Sequence, residues 1–340
     1  MPRPSTTIAI RARNILAAAL LPGLFAGGAA IADDTWPVHG KLQGNNDKKS
    51  EDVSGIACTV PQGFPRACLV IDDNAQAAQF VTVEDGEIQA GDMMPLIDNR
   101  FKGKALELDG EGVAYSDGFF YVIGSHGHPR DSEHKLGRKK TAARIAASSQ
   151  IVRFRPEGAH DLSAVEREGK LRAIIKREPA LSKYLDRRLE ENGLTIEGIA
   201  VRRGQILAGF RGPSLTKGRA AVLSVAVDAI FGHATASPHF YRLPLGKGQG
   251  VRDLAVFGDG VLVLAGPTAS GPGPYAIYWW DGESDDAKLL KDLADVVGKK
   301  GKRKAEAVLP LDESPSGLRV LILFDSEKEG APVAITIPRP

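Results

Sequence analysis

Glu197-Gly198-Ile199-Ala200-Val201-Arg202-Arg203-Gly204-Gln205-Ile206-Leu207-Ala208 is the stretch whose pattern decides the fold. An acidic residue, a small one and two apolar ones lead into a two-residue turn signal, and a second apolar run returns from it. The same opening recurs as Ser54-Gly55-Ile56-Ala57, Glu111-Gly112-Val113-Ala114, Arg252-Asp253-Leu254-Ala255 and Glu306-Ala307-Val308-Leu309. Between second positions the spacings are 57, 86, 55 and 54 residues. Asp117-Gly118 and Asp259-Gly260 mark further turns, and the other second runs are Cys68–Ile71, Phe119–Ile123, Val261–Leu264 and Arg319–Leu323. Third strands are expected at Phe80–Val83, Ile151–Phe154, Val222–Val225, Ala276–Trp279 and Val333–Thr336. A unit of about 50 residues holding four short strands is a propeller blade.

The reading is therefore all-β, a five-bladed β-propeller. The last unit reaches Pro340 after three strands, so Thr35–Leu42 is expected to supply its fourth and close the ring. The 86-residue spacing is read as one blade with insertions at about 129–148 and 179–193. In the second insertion, Leu181, Tyr184, Leu185 and Leu189 share a helical face between Pro179 and Gly193, which predicts a helix over 179–192. Reading that gap as another blade gives six.

Residues 1–32 have the form of a secretory signal. Arg3, Arg11 and Arg13 precede an apolar stretch from Ile15 to Phe25, and Ala30-Ile31-Ala32 places cleavage before Asp33. The stretch is shorter than the roughly 20 residues that span a bilayer. Residues 33–340 are then a single propeller domain, periplasmic or secreted and without a membrane span. Of the 44 basic residues three fall in the leader, which leaves 41 against 42 acidic ones and a net of −1. So neutral a body argues against nucleic acid as a partner and says little else. The expected assembly is a monomer. Cys58 and Cys68, the only cysteines, flank a turn-rich segment and are expected to form a disulfide across a hairpin.

Blade topology brings the motif starts and the ends of the second strands to one mouth of the central channel. Glu111, Glu197 and Glu306 meet there with Arg252 and Asp253, and with Asp72-Asp73-Asn74, Ser125-His126-Gly127-His128, Arg211, and Asp325. Three converging carboxylates repel and raise one another's pKa unless compensated. A hard divalent cation, Ca²⁺ first, is one solution. The other is an ion-pair network in which Arg211 and Arg252 neutralise the acids. His126 is the candidate general base, while His126 and His128 together suggest a transition-metal pair as a further alternative. No Gly-x-Ser-x-Gly elbow is present. The basic runs Lys135–Lys140 and Lys299–Lys304 fall on the same face, where they would steer anions.

Tyr121–His126, Glu197–Ala200, Gly209-Phe210-Arg211-Gly212-Pro213, Val251–Ala255 and Ala265-Gly266-Pro267, taken in order, resemble an exported bacterial family catalogued as a domain of unknown function. The resemblance runs from about Asp52 to Glu306 and implies a propeller without an established activity. More distantly, the repeated Glu-Gly starts are similar to esterase-like phytase and gluconolactonase propellers, which implies Ca²⁺ at the mouth. Ser54 and Arg252 stand where two repeats would otherwise carry an acid.

Two functions are expected. One is metal-assisted hydrolysis of an anionic (phospho)ester: Glu111, Glu197 and Glu306 hold the cation, His126 handles protons, and Ser125, Arg211, Arg252, Asp253 and Asp325 bind substrate. The other is a non-catalytic ligand-binding or scaffold propeller whose Arg/Glu network is structural.

Overall fold

The five repeats become five small antiparallel sheets. The computed structural model describes residues 1–2, 35–45, 48–131, 135–156, 161–298 and 302–340. The signal expected over 1–32, its Arg3, Arg11 and Arg13, and the start of the Lys299–Lys304 run lie outside the described residues. From the axis outward, blade one holds Val53–Cys58, Arg66–Asp72, Ala77–Glu84 and Glu87–Pro95, and blade two Gly110–Ser116, Phe119–Gly124, Ile151–Phe154 and Glu166–Glu168. Blade three holds Thr195–Arg202, Gln205–Gly212, Ala220–Ala226 and His239–Leu243. Gln249–Phe257, Gly260–Pro267, Ala276–Trp280 and Lys288–Asp292 make blade four, and Lys304–Ser314, Gly317–Asp325 and Val333–Ile337 make blade five.

Each innermost strand touches the next, and that of blade five touches that of blade one, so the ring is closed. Five apolar clusters fill the five gaps between neighbouring blades. Second strands are covered on both faces, as their continuous apolar runs require, and Gly260–Pro267 is buried throughout. The Asp259-Gly260 turn lies one residue earlier than expected, because Phe257 pairs with Gly260 and leaves Gly258-Asp259 as the turn.

The repeat motif has a local cause. In all five innermost strands the register slips at the motif's first residue: Ser54, Glu111, Glu197, Arg252 and Glu306 are each the extra residue of a β-bulge. A bulge bends the strand and re-aims that side chain. The small second residue permits the close approach of neighbouring blades. A Cβ on Gly55 would lie 2.8 Å from the Gly112 Cα, and one on Gly198 would lie 3.0 Å from the Asp253 carbonyl carbon. Asp253 itself spans to the next blade, accepting the Leu254 N–H and the Val308 N–H at 2.8 Å each.

Closure at the N-terminus differs from a full fourth strand. Thr35 makes a single bridge to Val333, and the Trp36 N–H donates to the Pro332 carbonyl. The chain then crosses to blade one, where Val38–His39 adds parallel to Glu87–Pro95. The segment thus straps the last blade to the first, and blade five keeps three strands. Glu329 secures the strap by accepting from the Leu42 N–H and from Lys49 Nζ.

The second insertion also corrects the expectation. The regular helix is Lys170–Arg177, and 179–192 carries only the 3₁₀ turns Ser182–Tyr184 and Leu189–Glu191. Leu181 and Leu185 are buried as the pattern required. The apolar spacing is met instead by two 3₁₀ turns separated by the extended Arg188, and the Leu194 N–H bonds back to the Tyr184 carbonyl, which folds the segment on itself. The first insertion contains the helix Arg138–Ser148. Cys58 and Cys68 sit opposite each other and form the expected disulfide. No helix among the described residues is long and apolar enough to cross a membrane.

Gly55→Leu drives a side chain into the backbone of blade two and is expected to cost about 2–4 kcal/mol in chemical denaturation. The same change at Gly271, where the backbone has no positive φ and an added Cβ meets nothing, is expected to cost less than about 1 kcal/mol.

Candidate functional site

Four of the five bulge residues carry charge, and the structure sorts them into two groups. Arg211 Nη1 donates to Glu197 Oε1 at 2.8 Å, and its other donors reach the Pro267 and Ala269 carbonyls. Arg252 donates from Nε to Glu306 Oε2 at 2.9 Å and from Nη2 to Glu306 Oε1. Arg252 Nε also lies 3.0 Å from Glu197 Oε2, which is within ion-pair range but lacks hydrogen-bond geometry because that N–H is spent on Glu306. Glu197, Arg211, Arg252 and Glu306 are all buried. They form one closed chain of charges that joins blades three, four and five, and neither arginine is presented to a ligand.

Glu111 falls in the other group. Oxygens of Asp73, Asp109 and Glu111 lie within 4.8 Å of one another. Asp73 follows the second strand of blade one, Asp109 precedes the first of blade two, and Glu111 is its bulge residue. Asp109 accepts from Ser125 Oγ, and the Gly127 N–H donates to the same hydroxyl. These groups line a cavity of about 160 Å³ together with Asn74, His128, Arg130 and Arg144.

The electrostatics show an uncompensated excess of acid. Burial, reinforced by Asp109, Asp52 and Asp72, pushes Asp73 up to about 9. Burial and then the Glu197, Asp109 and Asp73 charges raise Glu111 well above the carboxylate range. Asp109 is raised by burial in spite of Ser125, Arg144 and Arg130, which oppose the shift. Asp73 Oδ1 is buried with no hydrogen-bond partner among the described residues. Three hard oxygen donors, one of them unsatisfied, suit a cation that prefers oxygen ligands.

Of the expected metal trio, only Glu111 belongs to the acidic cluster: Glu197 also lines the cavity but is held by Arg211 through Oε1, and Glu306 is held by Arg252 and does not line it. The reason is that the bulge aims all these side chains at the axis, while the blade-four bulge happens to supply Arg252, which captures its two neighbours. His126 needs a similar correction. It is fully buried and does not line the cavity, because its backbone adopts φ 55° and turns the ring into the blade. Its Nδ1 bonds to the Gly124 carbonyl, and burial pulls its pKa down to about 4. His128, two residues on, lines the cavity instead. Asp253 is spent on backbone N–H groups between blades, and Asp325 accepts from Lys304 Nζ at 2.7 Å. Neither lines the cavity; Ser125 does.

The family described as "Protein of unknown function (DUF3616)" matches residues 66–153 and 138–332. The chain belongs to that family. No curated protein matches it in sequence. Among solved structures, this DUF3616 protein is similar to virginiamycin B lyase from Staphylococcus aureus, at 12% identity and a TM-score of 0.36 over 80% of this chain and 77% of that one. It is also similar to a GH32 β-fructofuranosidase from Bombyx mori, at 9% identity and 0.40 over 85% and 60%. A third is the calcium-binding protein regucalcin from Agrobacterium tumefaciens, at 12% identity and 0.33 over 81% and 82%. Likenesses this distant carry nothing about activity.

Two outcomes follow for this site. Arg252→Met removes the shared cation and leaves Glu197 and Glu306 buried against each other. It is expected to lower stability by about 3–5 kcal/mol, read from denaturation midpoints. The pH dependence follows from the raised carboxyls. Unfolded, they release their protons near pH 4; folded, Asp73 holds its proton to about 9 and Asp253 to about 8. The folded state therefore binds more protons between pH 7 and 9, so stability falls as pH rises across that window. His126, held neutral in the folded state and mostly neutral unfolded above pH 7, adds only a small opposing change at the lower end of that window. In chelator, the urea midpoint is expected to be lower at pH 9 than at pH 7; a flat or rising midpoint contradicts the assignment.

Proposed function

We propose that this DUF3616 propeller is an exported, divalent-cation-dependent hydrolase of small anionic esters, phosphoesters foremost, acting at the axial mouth as a monomer. The convergence of Asp73, Asp109 and Glu111 within 4.8 Å carries the reading. These three would hold the cation, and the cavity beside them leaves room for water and substrate oxygens. Such a cation, when bound, polarises the ester and acidifies water.

The chain's own groups have separate roles. Arg130, exposed at the cavity, binds the anionic group of the substrate. His128 Nδ1 bonds to the Pro129 carbonyl at 3.1 Å, which makes Nδ1 the protonated nitrogen and leaves Nε2 as proton acceptor. Ser125 orients Asp109 through its hydroxyl. Export is supported by the disulfide, which persists in oxidising compartments. The buried Glu197–Arg211–Arg252–Glu306 chain favours a second reading for its own residues, a structural network beneath a mouth that only binds.

Calorimetric titration with Ca²⁺ and Mg²⁺ is expected to give one site per chain, with the melting temperature raised by metal and lowered by chelator. Glu111→Gln is expected to weaken binding at least tenfold, about 1.4 kcal/mol. Glu306→Gln is expected to lower stability and leave metal affinity unchanged. Turnover of p-nitrophenyl phosphate that requires the metal supports hydrolysis; metal binding without turnover on any ester class supports the binding propeller. No metal binding at all removes the first reading.

A further inference from the structure

A pocket of about 410 Å³ opens beside blade two. One wall is the short hairpin of Arg100–Phe101 and Lys104–Ala105, which lies in the chain between the last strand of blade one and the first of blade two. The other is the helix Arg138–Ser148, which packs on that hairpin. Phe101 and the buried Leu106 give the pocket an apolar lining, and Lys102, Lys104, Lys140 and Arg144 stand round it.

Four cations here face one acid. Glu107, the one carboxylate of the lining, accepts from Arg144 Nη2 at 2.8 Å. The ammonium groups of Lys102, Lys104 and Lys140 are exposed and make no hydrogen bond or ion pair among the described residues, apart from the Phe101 ring centroid 5.8 Å from Lys102 Nζ. Local stability does not call for these cations. Lys102 has φ 51° at the first position of a two-residue hairpin turn, where asparagine or glycine is the ordinary choice. Arg138, Lys139 and Lys140 open the helix at the end that already carries partial positive charge, with no acid in its first turn and no side-chain cap. Two neighbouring elements thus give up local preference to crowd positive charge round one pocket, a conflict typical of functional surfaces.

We propose that this pocket binds a small organic dianion with an apolar body, a phosphate monoester or a pair of adjacent carboxylates on an aromatic group. The charge of the ligand follows from three lysines left unpaired, and its body from Phe101 and Leu106, which a bare inorganic anion would leave uncovered. A volume of about 410 Å³ lies within the range of ordinary small-ligand sites. The pocket shares Glu107 and Arg144 with the acidic cavity, but none of its three lysines lines that cavity. Binding here therefore needs no metal and does not depend on any hydrolytic activity of the acidic cluster.

Fluorine NMR and calorimetry with 4-fluorophenyl phosphate and 4-fluorophthalate test it, on the full chain stripped of metal and dialysed free of chelator, which is itself a polyanion. Saturable binding with a Kd below about 1 mM is expected for both, weakening as salt is added. Inorganic phosphate is expected to bind at least tenfold more weakly, and neutral 4-fluorobenzyl alcohol not at all. Lys104→Gln with Lys140→Gln, at exposed positions that leave the fold intact, is expected to weaken binding at least tenfold. Lys288→Gln, an exposed lysine on blade four, is expected to leave it unchanged. Phe101→Ala keeps every charge and is expected to erase the preference for the aryl phosphate over inorganic phosphate. The proposal is overturned by no saturable binding to the wild-type protein, by binding that appears only when metal is added, by equal affinity for inorganic phosphate, or by equal weakening in Lys288→Gln.

Discussion

Everything in this molecule depends on five strands approaching a common axis, at three of the five contacts so closely that little more than glycine fits between them. Gly55, Gly112 and Gly198 sit where neighbouring backbones meet, and in each strand the residue just before that contact is extruded as a bulge. One constraint therefore does two things. It sets blade spacing, and it delivers Ser54, Glu111, Glu197, Arg252 and Glu306 to the same axial end. The five apolar clusters between blades then hold the ring, and the N-terminal strap joins its ends.

Delivering charge to a buried axis creates an electrostatic problem, and the protein solves it for only part of the ring. Around blades three to five, two arginines and two glutamates engage one another and leave only Glu197 Oε2 without a hydrogen bond, an arrangement favoured because each guanidinium has fixed, planar donors matched to carboxylate oxygens. Around blades one and two, Arg130 and Arg144 line the cavity but only oppose the upward shift of Asp109, and Asp73, Asp109 and Glu111 remain an acid excess beside open space. The division between a structural network and a ligand-accepting cluster is thus drawn by which residue each bulge carries.

The blade count and the strands of each blade were legible because spacing and apolar runs are local properties that survive folding unchanged. The disulfide was legible for the same reason. What was not legible depended on which side chain meets which. Glu197 and Glu306 look like Glu111 in the motif, and only the reach of Arg252 separates them. Asp109 was missed although it stands two residues before Glu111, a spacing that puts both on one face of an extended strand. His126 and His128 could be told apart only by the left-handed backbone at His126, which the sequence around it does not announce. The helix expected over 179–192 failed because two 3₁₀ turns broken at the extended Arg188 meet its apolar pattern, and the closing strand because a bridge and a parallel edge strand bury Trp36 as effectively as a full ladder would.

Anomalous diffraction from crystals of the full chain grown with Mn²⁺ tests the account most directly, since it locates a hard cation without assuming an activity. A single strong peak bounded by oxygens of Asp73, Asp109 and Glu111, with Glu197 and Glu306 still bound to arginine, is the predicted result. A peak between Glu197 and Glu306, or no peak at the mouth with all three cluster carboxyls paired to protein groups, would contradict it.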